Sequence, residues 1–200
     1  MGRARVLGLL AGGGVSLYAG KRLWGATANN WRINTIEFPV PVFDPAGYRL
    51  VVDGLVARPL TFTYEELRAL PSVRQTSDFH CVEGWGVDGV RWAGLRLQMV
   101  IDRVQPIEAA AYITFHSLGG EYRDSLSIQQ ATLRDVLLAY EMDGGPLSRD
   151  HGSPLRLVMP RMYGYKGPKW LTRIEFRDRQ DVGYWEYRGW RMDAWVRAGA

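Results

Sequence analysis

The chain has 200 residues, 46% of them hydrophobic and 23% charged, with a formal net charge of +4. That length makes one good-sized domain with at most a small appendage, and the apolar fraction excludes a disordered chain. A single cysteine excludes an internal disulfide framework, and 23 glycines with 10 prolines point to short elements and turns rather than a helical bundle.

In chain order, Arg3 and Arg5 precede an apolar, glycine-rich run, Val6 to Gly20, closed by Lys21 and Arg22. At about 15 residues the run is short of the roughly 20 needed to span a bilayer. It resembles a signal-peptide core, with Ala26-Thr27-Ala28 as a small-residue cleavage site. Residues 1–28 are therefore expected to be a signal-like or membrane-anchoring segment, and residues 29–200 one domain. Tyr48 to Val52 is predicted as a strand with Asp53-Gly54 as its turn, and Thr63-Tyr64-Glu65-Glu66 as a capping box opening a helix that ends before Pro71. Val73 to His80 is a predicted strand delivering Cys81 to a loop that contains Gly84, Gly86 and Gly89. Leu95 to Val104 carries a helical apolar period, and Ala111 to Phe115 is a buried strand leading to His116-Ser117. Asp143-Gly144-Gly145 makes a hairpin turn between Val136–Tyr140 and Pro146-Leu147. Leu155 to Met159 and Trp170 to Phe176 are two further strands, and the tail from Tyr184 to Trp195 is rich in aromatics. Strands with a few short helices and no regular βαβ alternation indicate an α+β, strand-rich, mixed-sheet domain.

Cys81, in Asp78-Phe79-His80-Cys81-Val82-Glu83-Gly84-Trp85, is the only thiol. It is a buried structural residue, a nucleophile, or a ligand for a soft metal. A Cys–His nucleophile with His80, His116 or His151 as its base lacks any recognisable hydrolase signature around it. Spacings of 36 and 35 residues between those histidines match no zinc-ligand pattern. Residues 156–179 hold seven Lys/Arg against Glu175 and Asp178, leaving 18 basic and 19 acidic residues elsewhere. The whole basic excess thus lies in one segment, which suits a phosphate pocket or the solvated face of a strand better than a diffuse nucleic-acid surface. Within it, Arg156 in a strand pattern suits bidentate contact with a phosphate, and Gly164, Gly167 and Pro168 bend the backbone beside Lys169. The Walker order and the dinucleotide fingerprint are both absent.

Three ordered segments carry a resemblance: Phe79-His80-Cys81-Val82-Glu83-Gly84-Trp85, Gly152-Ser153-Pro154-Leu155-Arg156-Leu157, and Tyr163-Gly164-Tyr165-Lys166-Gly167-Pro168-Lys169-Trp170. Together they resemble the sulfite oxidase family of molybdopterin-dependent oxidoreductases, in particular its small bacterial branch, similar to catalytic subunits of periplasmic methionine-sulfoxide reductases. The resemblance covers roughly residues 30–197. It implies that Cys81 is the single protein thiolate on molybdenum, that Arg156 and Lys169 hold the pterin phosphate, and that Gly167 and Pro168 lend backbone contacts. It further places Ser117 and His151 against the cofactor, and Asn30, Ile33 and Asn34 in a stretch closing over the pterin. Tyr187, in Trp185-Glu186-Tyr187-Arg188-Gly189-Trp190, matches the family's active-site tyrosine at a shorter spacing. Val82-Glu83-Gly84 replaces the Cys-x-Gly-Asn-Arg form of sulfite oxidases proper, which argues against sulfite as substrate.

The function so implied is oxygen-atom transfer on a small molecule, such as reduction of a sulfoxide, by molybdenum-molybdopterin. No haem or second cofactor motif is present, so a membrane cytochrome or quinone-linked subunit is the expected electron partner, and nucleic acid is not a partner. The alternatives are a non-catalytic anion- or partner-binding module on the same fold, and a cysteine hydrolase. The signal-like segment implies a periplasmic or membrane-anchored location. Yet such enzymes load their cofactor before export through a twin-arginine signal, and Arg3-Ala4-Arg5 lacks adjacent arginines. A start further upstream, carriage by a partner, or residence on the cytoplasmic face would each reconcile the two.

Overall fold

The computed structural model describes residues 31–196. Asn30 and the segment 1–28 lie outside the described residues. Among the described residues, ten strands form two five-stranded sheets, one mixed and one antiparallel, joined by three short helices.

The first sheet runs β2-β1-β10-β5-β6. It comprises β1 (Arg49–Gly54), β2 (Leu60–Thr63), β5 (Tyr112–Ser117), β6 (Arg123–Ser127) and β10 (Leu171–Arg177). β1 pairs with β10 in parallel, Val52 facing Ile174, while its other ladders are antiparallel. The second sheet is antiparallel, in the order β3-β4-β7-β8 with β9 also on β7. Its strands are β3 (Val73–Cys81), β4 (Trp85–Arg96), β7 (Leu137–Met142), β8 (Gly145–Pro146) and β9 (Arg156–Val158). The helices are α1 (Tyr64–Ala69), α2 (Leu97–Val104) and α3 (Ile128–Ala131).

α1 starts where Thr63 accepts from the Glu66 amide and Glu66 reaches back to the Thr63 amide, the reciprocal cap its sequence announces. α2 buries Leu97, Val100, Ile101 and Val104 on one stripe, the 3.6-residue period expected of a helix laid on a sheet.

The main core is filled from both sheets and α2, by residues such as Leu50, Val52, Leu95, Ile113, Phe115, Leu126, Leu138, Leu157 and Ile174. A second apolar cluster lies on the opposite face of the second sheet: Trp31, Ile33, Val87, Val90, Trp92, Leu137, Ala139 and Val158, with Phe79 and Trp85 against it. Side chains alternate across a strand, so β7 sends Leu138 and Tyr140 to the main core and Leu137 and Ala139 to the second cluster. A strand covered on both faces reads as a continuous apolar run, which is what Val136 to Tyr140 is. β9 repeats the pattern, with Leu157 in the main core and Arg156 sharing the side of Val158.

Three expectations are corrected. Gly86 and Gly89 belong to β4 rather than to a loop, because β3 and β4 pair as one long hairpin whose turn is Val82–Gly84. The helix begins at Leu97, since Leu95 and Arg96 are still paired with Leu138 and Leu137 of β7. β6 and β2 are further strands that the sequence pattern does not announce. β6 reads Arg-Asp-Ser-Leu-Ser, yet Asp124, Ser125 and Leu126 are all buried. Among the described residues no helix is long and apolar enough to cross a membrane.

At Gly94, where β4 crosses β7, an added Cβ would stand 2.1 Å from the Leu138 carbonyl oxygen and 2.7 Å from the Ala139 Cα. Neither is a flexible side chain that can swing away. Gly94→Ala is expected to destabilise by about 1–3 kcal/mol, the range for overpacking a close-packed interior, while Gly145→Ala, which meets open space, leaves thermal unfolding near wild type. Differential scanning calorimetry of the two variants checks this.

Candidate functional site

The stretch from Trp31 to Glu37 crosses the outer face of the second sheet and closes one side of a cavity of about 150 Å³. Strand parity sets what points in. Phe79 and Cys81 lie two residues apart on β3 and both line the cavity, as does Trp85, the register partner of Cys81 across the hairpin turn. Arg156 enters from β9, and Gly164, Tyr165 and Gly167 from a 3-10 turn at Gly164–Lys166 and its exit. Asp150, His151, Lys169 and Trp170 form the remaining inner wall, and Tyr122, Trp185 and Trp190 the outer one.

The wall is strongly aromatic. Trp31 sits 4.6 Å from Phe79 and 4.9 Å, edge-on, from His151 (ring centroids), and Phe79 is 5.8 Å from Trp85. Such offset and edge contacts are the favoured geometries of aromatic pairs, and they make the floor stiff.

One end of the cavity is cationic. The Arg156 guanidinium is buried; its Nη1 donates to the His151 carbonyl at 3.1 Å, its Cζ lies 5.2 Å over the Trp92 ring, and its Nε has no partner. Among the described residues it forms no ion pair with a carboxylate. Burial pulls its pKa down to about 10. Lys169 donates to the carbonyls of Asp150 at 2.9 Å and Asn34 at 3.1 Å, and its Nζ stands 4.4 Å from the Trp170 ring. Burial, and next the Arg156 charge, lower its pKa to about 7. His151, 6% exposed, is lowered to about 4, first by burial and then by Arg156 and Lys169. Gly152, at φ +106, lets the His151 turn press against Lys169, where an added Cβ would meet the Lys169 Cβ at 2.9 Å. Two cations are thus forced together in a poorly hydrated place, a donor set that asks for an anion.

Near the thiol the charged groups are Glu83 and Arg32. Cys81 is half-buried, and burial raises its pKa; the Glu83 charge adds to the rise, while the Glu83 backbone and the Arg32 charge oppose it. Glu83 Oε2 accepts from Asn34 Nδ2 at 3.3 Å and from Trp85 Nε1 at 3.4 Å. Glu37, only 2% exposed, accepts from the Tyr122 amide at 3.0 Å and acts on Lys169, where its charge opposes the lowering of the ammonium pKa. Among the described residues no three His, Cys, Asp or Glu side chains cluster as a protein-only metal cage. A metal at Cys81 would therefore draw its other ligands from outside the protein.

The profile described as "Oxidoreductase molybdopterin binding domain" matches residues 37–185. The chain belongs to this family. It is 35% identical over 171 residues to "Uncharacterized oxidoreductase YuiH" of Bacillus subtilis, covering 80% of this chain and 85% of that one. It is 33% identical over 183 residues to the mitochondrial sulfite oxidase of Homo sapiens, covering 78% of this chain but 34% of that one. It is 31% identical over 176 residues to "Protein-methionine-sulfoxide reductase catalytic subunit MsrP" of Ralstonia nicotianae, covering 76% and 53%. The chain therefore spans most of the Bacillus relative and about half or less of the other two. The fold matches the crystal structure of the sulfane dehydrogenase SoxCD from Paracoccus pantotrophus, with a TM-score of 0.63 at 24% identity over 70% of this chain and 41% of that one. The protein is accordingly a molybdenum-cofactor-dependent oxidoreductase of the molybdopterin-binding family, with the strand-rich α+β fold its sequence implies.

The residues present fit such a cofactor. The Arg156 Nε is a buried donor without a partner, Lys169 is held by neutral carbonyls, and Cys81 faces the same cavity. Ile33, Asn34, Cys81, His151, Arg156, Gly167 and Lys169 all line it. Pro168 and Ser117 do not. The Pro168 carbonyl instead accepts from the Leu157 amide, pinning the Gly167–Lys169 segment to β9. Ser117, at the end of β5, has a buried Oγ without a partner, and the amide of the next residue donates to the Trp170 carbonyl.

The placement of Tyr187 as an active-site hydroxyl is corrected. Its side chain is 81% exposed and lines no part of the cavity. A 3-10 turn at Glu186–Arg188 sends Glu186 into the interior, so the next residue faces solvent. The cavity aromatics in that region are Trp185 and Trp190, and the tyrosines are Tyr122 and Tyr165. The dense aromatics of Tyr184 to Trp195 signalled this wall, but not which of them face inward.

The cofactor-free protein should bind a fixed dianion at the cationic end. With inorganic sulfate as probe, affinity is expected to fall as pH rises from about 7, because Lys169, charged below its lowered pKa of about 7, becomes neutral above it. Lys169→Met is expected to remove that pH dependence. Isothermal titration calorimetry between pH 6 and 9 measures both.

Proposed function

We propose that the protein reduces a small, uncharged oxo-compound such as a sulfoxide by oxygen-atom transfer, drawing electrons from a redox partner. The observation that carries this reading is the cavity that brings Cys81 together with Arg156 and Lys169, a buried pair of cations in which the Arg156 Nε has no partner. Cys81 would be the protein's ligand to molybdenum. Arg156 and Lys169 would bind the pterin phosphate, with Gly167 allowing close backbone approach and His151, Ile33 and Asn34 packing around it. The cofactor, when bound, supplies a metal that accepts an oxygen atom and exchanges two electrons.

The chain's own groups bind, orient and exclude water. Phe79, Trp85, Trp185 and Trp190 offer apolar faces to the organic part of a substrate. Glu83 places negative charge close to Cys81, which works against a dianion such as sulfite and tolerates a neutral molecule, with the Arg32 guanidinium nearby partly offsetting it. In the balanced reaction the sulfur–oxygen bond of the sulfoxide breaks, the sulfur is reduced to a sulfide, and the oxygen leaves as one water. Each turnover therefore consumes an electron pair from an external donor and a pair of protons. A relative carrying the printed name of a methionine-sulfoxide reductase catalytic subunit supports the same direction. By the same analogy we infer an extracytoplasmic site of action and a membrane cytochrome or quinone-linked donor.

Two assays on the cofactor-loaded chain test this. Reduced benzyl viologen should be oxidised by methyl p-tolyl sulfoxide, while sulfite-dependent ferricyanide reduction stays at background. Cys81→Ser should lower the sulfoxide-dependent kcat by at least ~100-fold, the scale of losing even an outer partner of a metal ligand. Sulfite turnover faster than sulfoxide turnover, or full activity in Cys81→Ser, would overturn the reading.

A further inference from the structure

Behind the cavity, where three elements meet, lies a buried ion triad. The Lys166 ammonium donates to Asp124 Oδ1 and, at 2.7 Å, to Glu186 Oε1, and all three side chains are 1% exposed. The second oxygens, Asp124 Oδ2 and Glu186 Oε2, are buried without a partner. Asp124 belongs to β6, and Lys166 and Glu186 to the two 3-10 turns. The triad is sealed by the Gly183 backbone, where an added Cβ would stand 2.2 Å from Glu186 Oε2 and 2.8 Å from Asp124 Cγ.

Each member sits next to a cavity residue: Tyr122 is two before Asp124, Tyr165 one before Lys166, and Trp185 one before Glu186. The Trp190 amide donates to the Trp185 carbonyl at 3.2 Å, so Trp190 moves with the same turn, and its ring lies 6.2 Å from that of Tyr165. We propose that the Lys166–Asp124–Glu186 triad is the positioning device of the cavity's outer aromatic wall, clamping the turn that carries Trp185 and Trp190, with a grip set by the triad's charge state. None of the three touches the cavity; they act through the tryptophans.

Two carboxylates facing one ammonium either hold a proton between them or leave a buried net negative charge. The groups facing Asp124 are Lys166 and Tyr165 from the first turn, Glu186 from the second, Tyr122 from the approach to β6, and the Ser125 amide at 2.6 Å. Burial, opposed by Lys166 and reinforced by Glu186, pushes the Asp124 carboxyl up to about 8. With the turn released, Asp124 would titrate near its ordinary value of about 4. The clamped form therefore keeps a proton that the released form gives up between about pH 4 and 8. Because the folded value is the raised one, the clamp is strongest at low pH. It weakens as pH rises through that window, by up to about tenfold in the opening equilibrium per unit, and is flat above it.

Hydrogen–deuterium exchange of the cofactor-loaded, full-length chain tests the clamp without turnover. Peptides over residues 184–195, corrected for intrinsic exchange, should show opening that rises with pH up to about 8 and then levels. Asp124→Asn, which keeps the acceptor and fixes the neutral form, should abolish the slope. Glu186→Gln, which removes the like charge, should abolish it independently. Where methyl p-tolyl sulfoxide is reduced, both variants should show a KM independent of pH with kcat within twofold of wild type, while the wild-type KM rises with pH. Equal slopes in wild type and both variants, or slopes shared by peptides of β4 and β7, would overturn the clamp. Absence of sulfoxide reduction with the exchange pattern intact would overturn the proposed function and leave the clamp standing.

Discussion

The structure turns on a guanidinium buried without a counter-charge. Arg156 is in the interior by strand parity, since β9 must give Leu157 to the main core and so sends its neighbour to the other face. A buried cation is costly unless it is paired and hydrogen-bonded. Here the protein supplies one carbonyl and the face of Trp92, and leaves the Nε unsatisfied. Lys169 is then pressed beside it by the Gly152 turn, which worsens the repulsion. Such an arrangement is stable in function only with an anion brought from outside. The same feature that weakens the empty domain makes that end of the cavity electrostatically favourable for an anion.

A two-faced sheet makes this possible. β7 is the hinge of the design, because its alternate residues complete the main core on one side and the floor of the cavity on the other. The thiol and the guanidinium are carried on packed strands, Cys81 at the end of β3 and Arg156 at the start of β9, while most of the remaining wall comes from connecting segments. Rigid elements hold a constellation more tightly than loops do. The aromatic floor extends this rigidity, since Trp31 bridges Phe79, Trp92 and His151 and so ties the stretch entering at residue 31 to both strands.

How much of this the sequence discloses depends on which physical signal each residue leaves. The α1 cap, the β7 apolar run and the Asp143–Gly145 turn are local events with local signatures, and the structure has them where the residues say. Cys81 and Arg156 stand out because a solitary thiol and a cation inside an apolar run break the pattern around them. β6 stays hidden because its buried Asp124 and Ser125 are satisfied by partners far away in the chain: Lys166 at 42 residues and Asp181 at 56. Lys166 is hidden for the same reason, since one charge among seven in a basic segment reads as solvated until its two carboxylates are seen. Tyr187 misleads because a 3-10 turn swings each side chain about a third of a turn from the last, so with Glu186 inside the tyrosine ring faces solvent and the motif falls in the right region with the wrong ring facing inward.

The distribution of charge separates binding of the cofactor from choice of substrate. Two cations meet where Arg156 and Lys169 lie beside a His151 kept neutral by its lowered pKa, with Glu37 acting on Lys169, while Glu83 and Arg32 are the charges near Cys81. Near Cys81 the Glu83 carboxylate repels an anion through a poorly screened medium, and Arg32 attracts one. Burial disfavours ionisation of the thiol and the Glu83 charge adds to this, while the Glu83 backbone and the Arg32 charge act the other way. The net effect is a raised pKa, which argues against a cysteine hydrolase, since that would need the thiolate free, and suits a thiol that would lose its proton to a metal binding thiolate strongly.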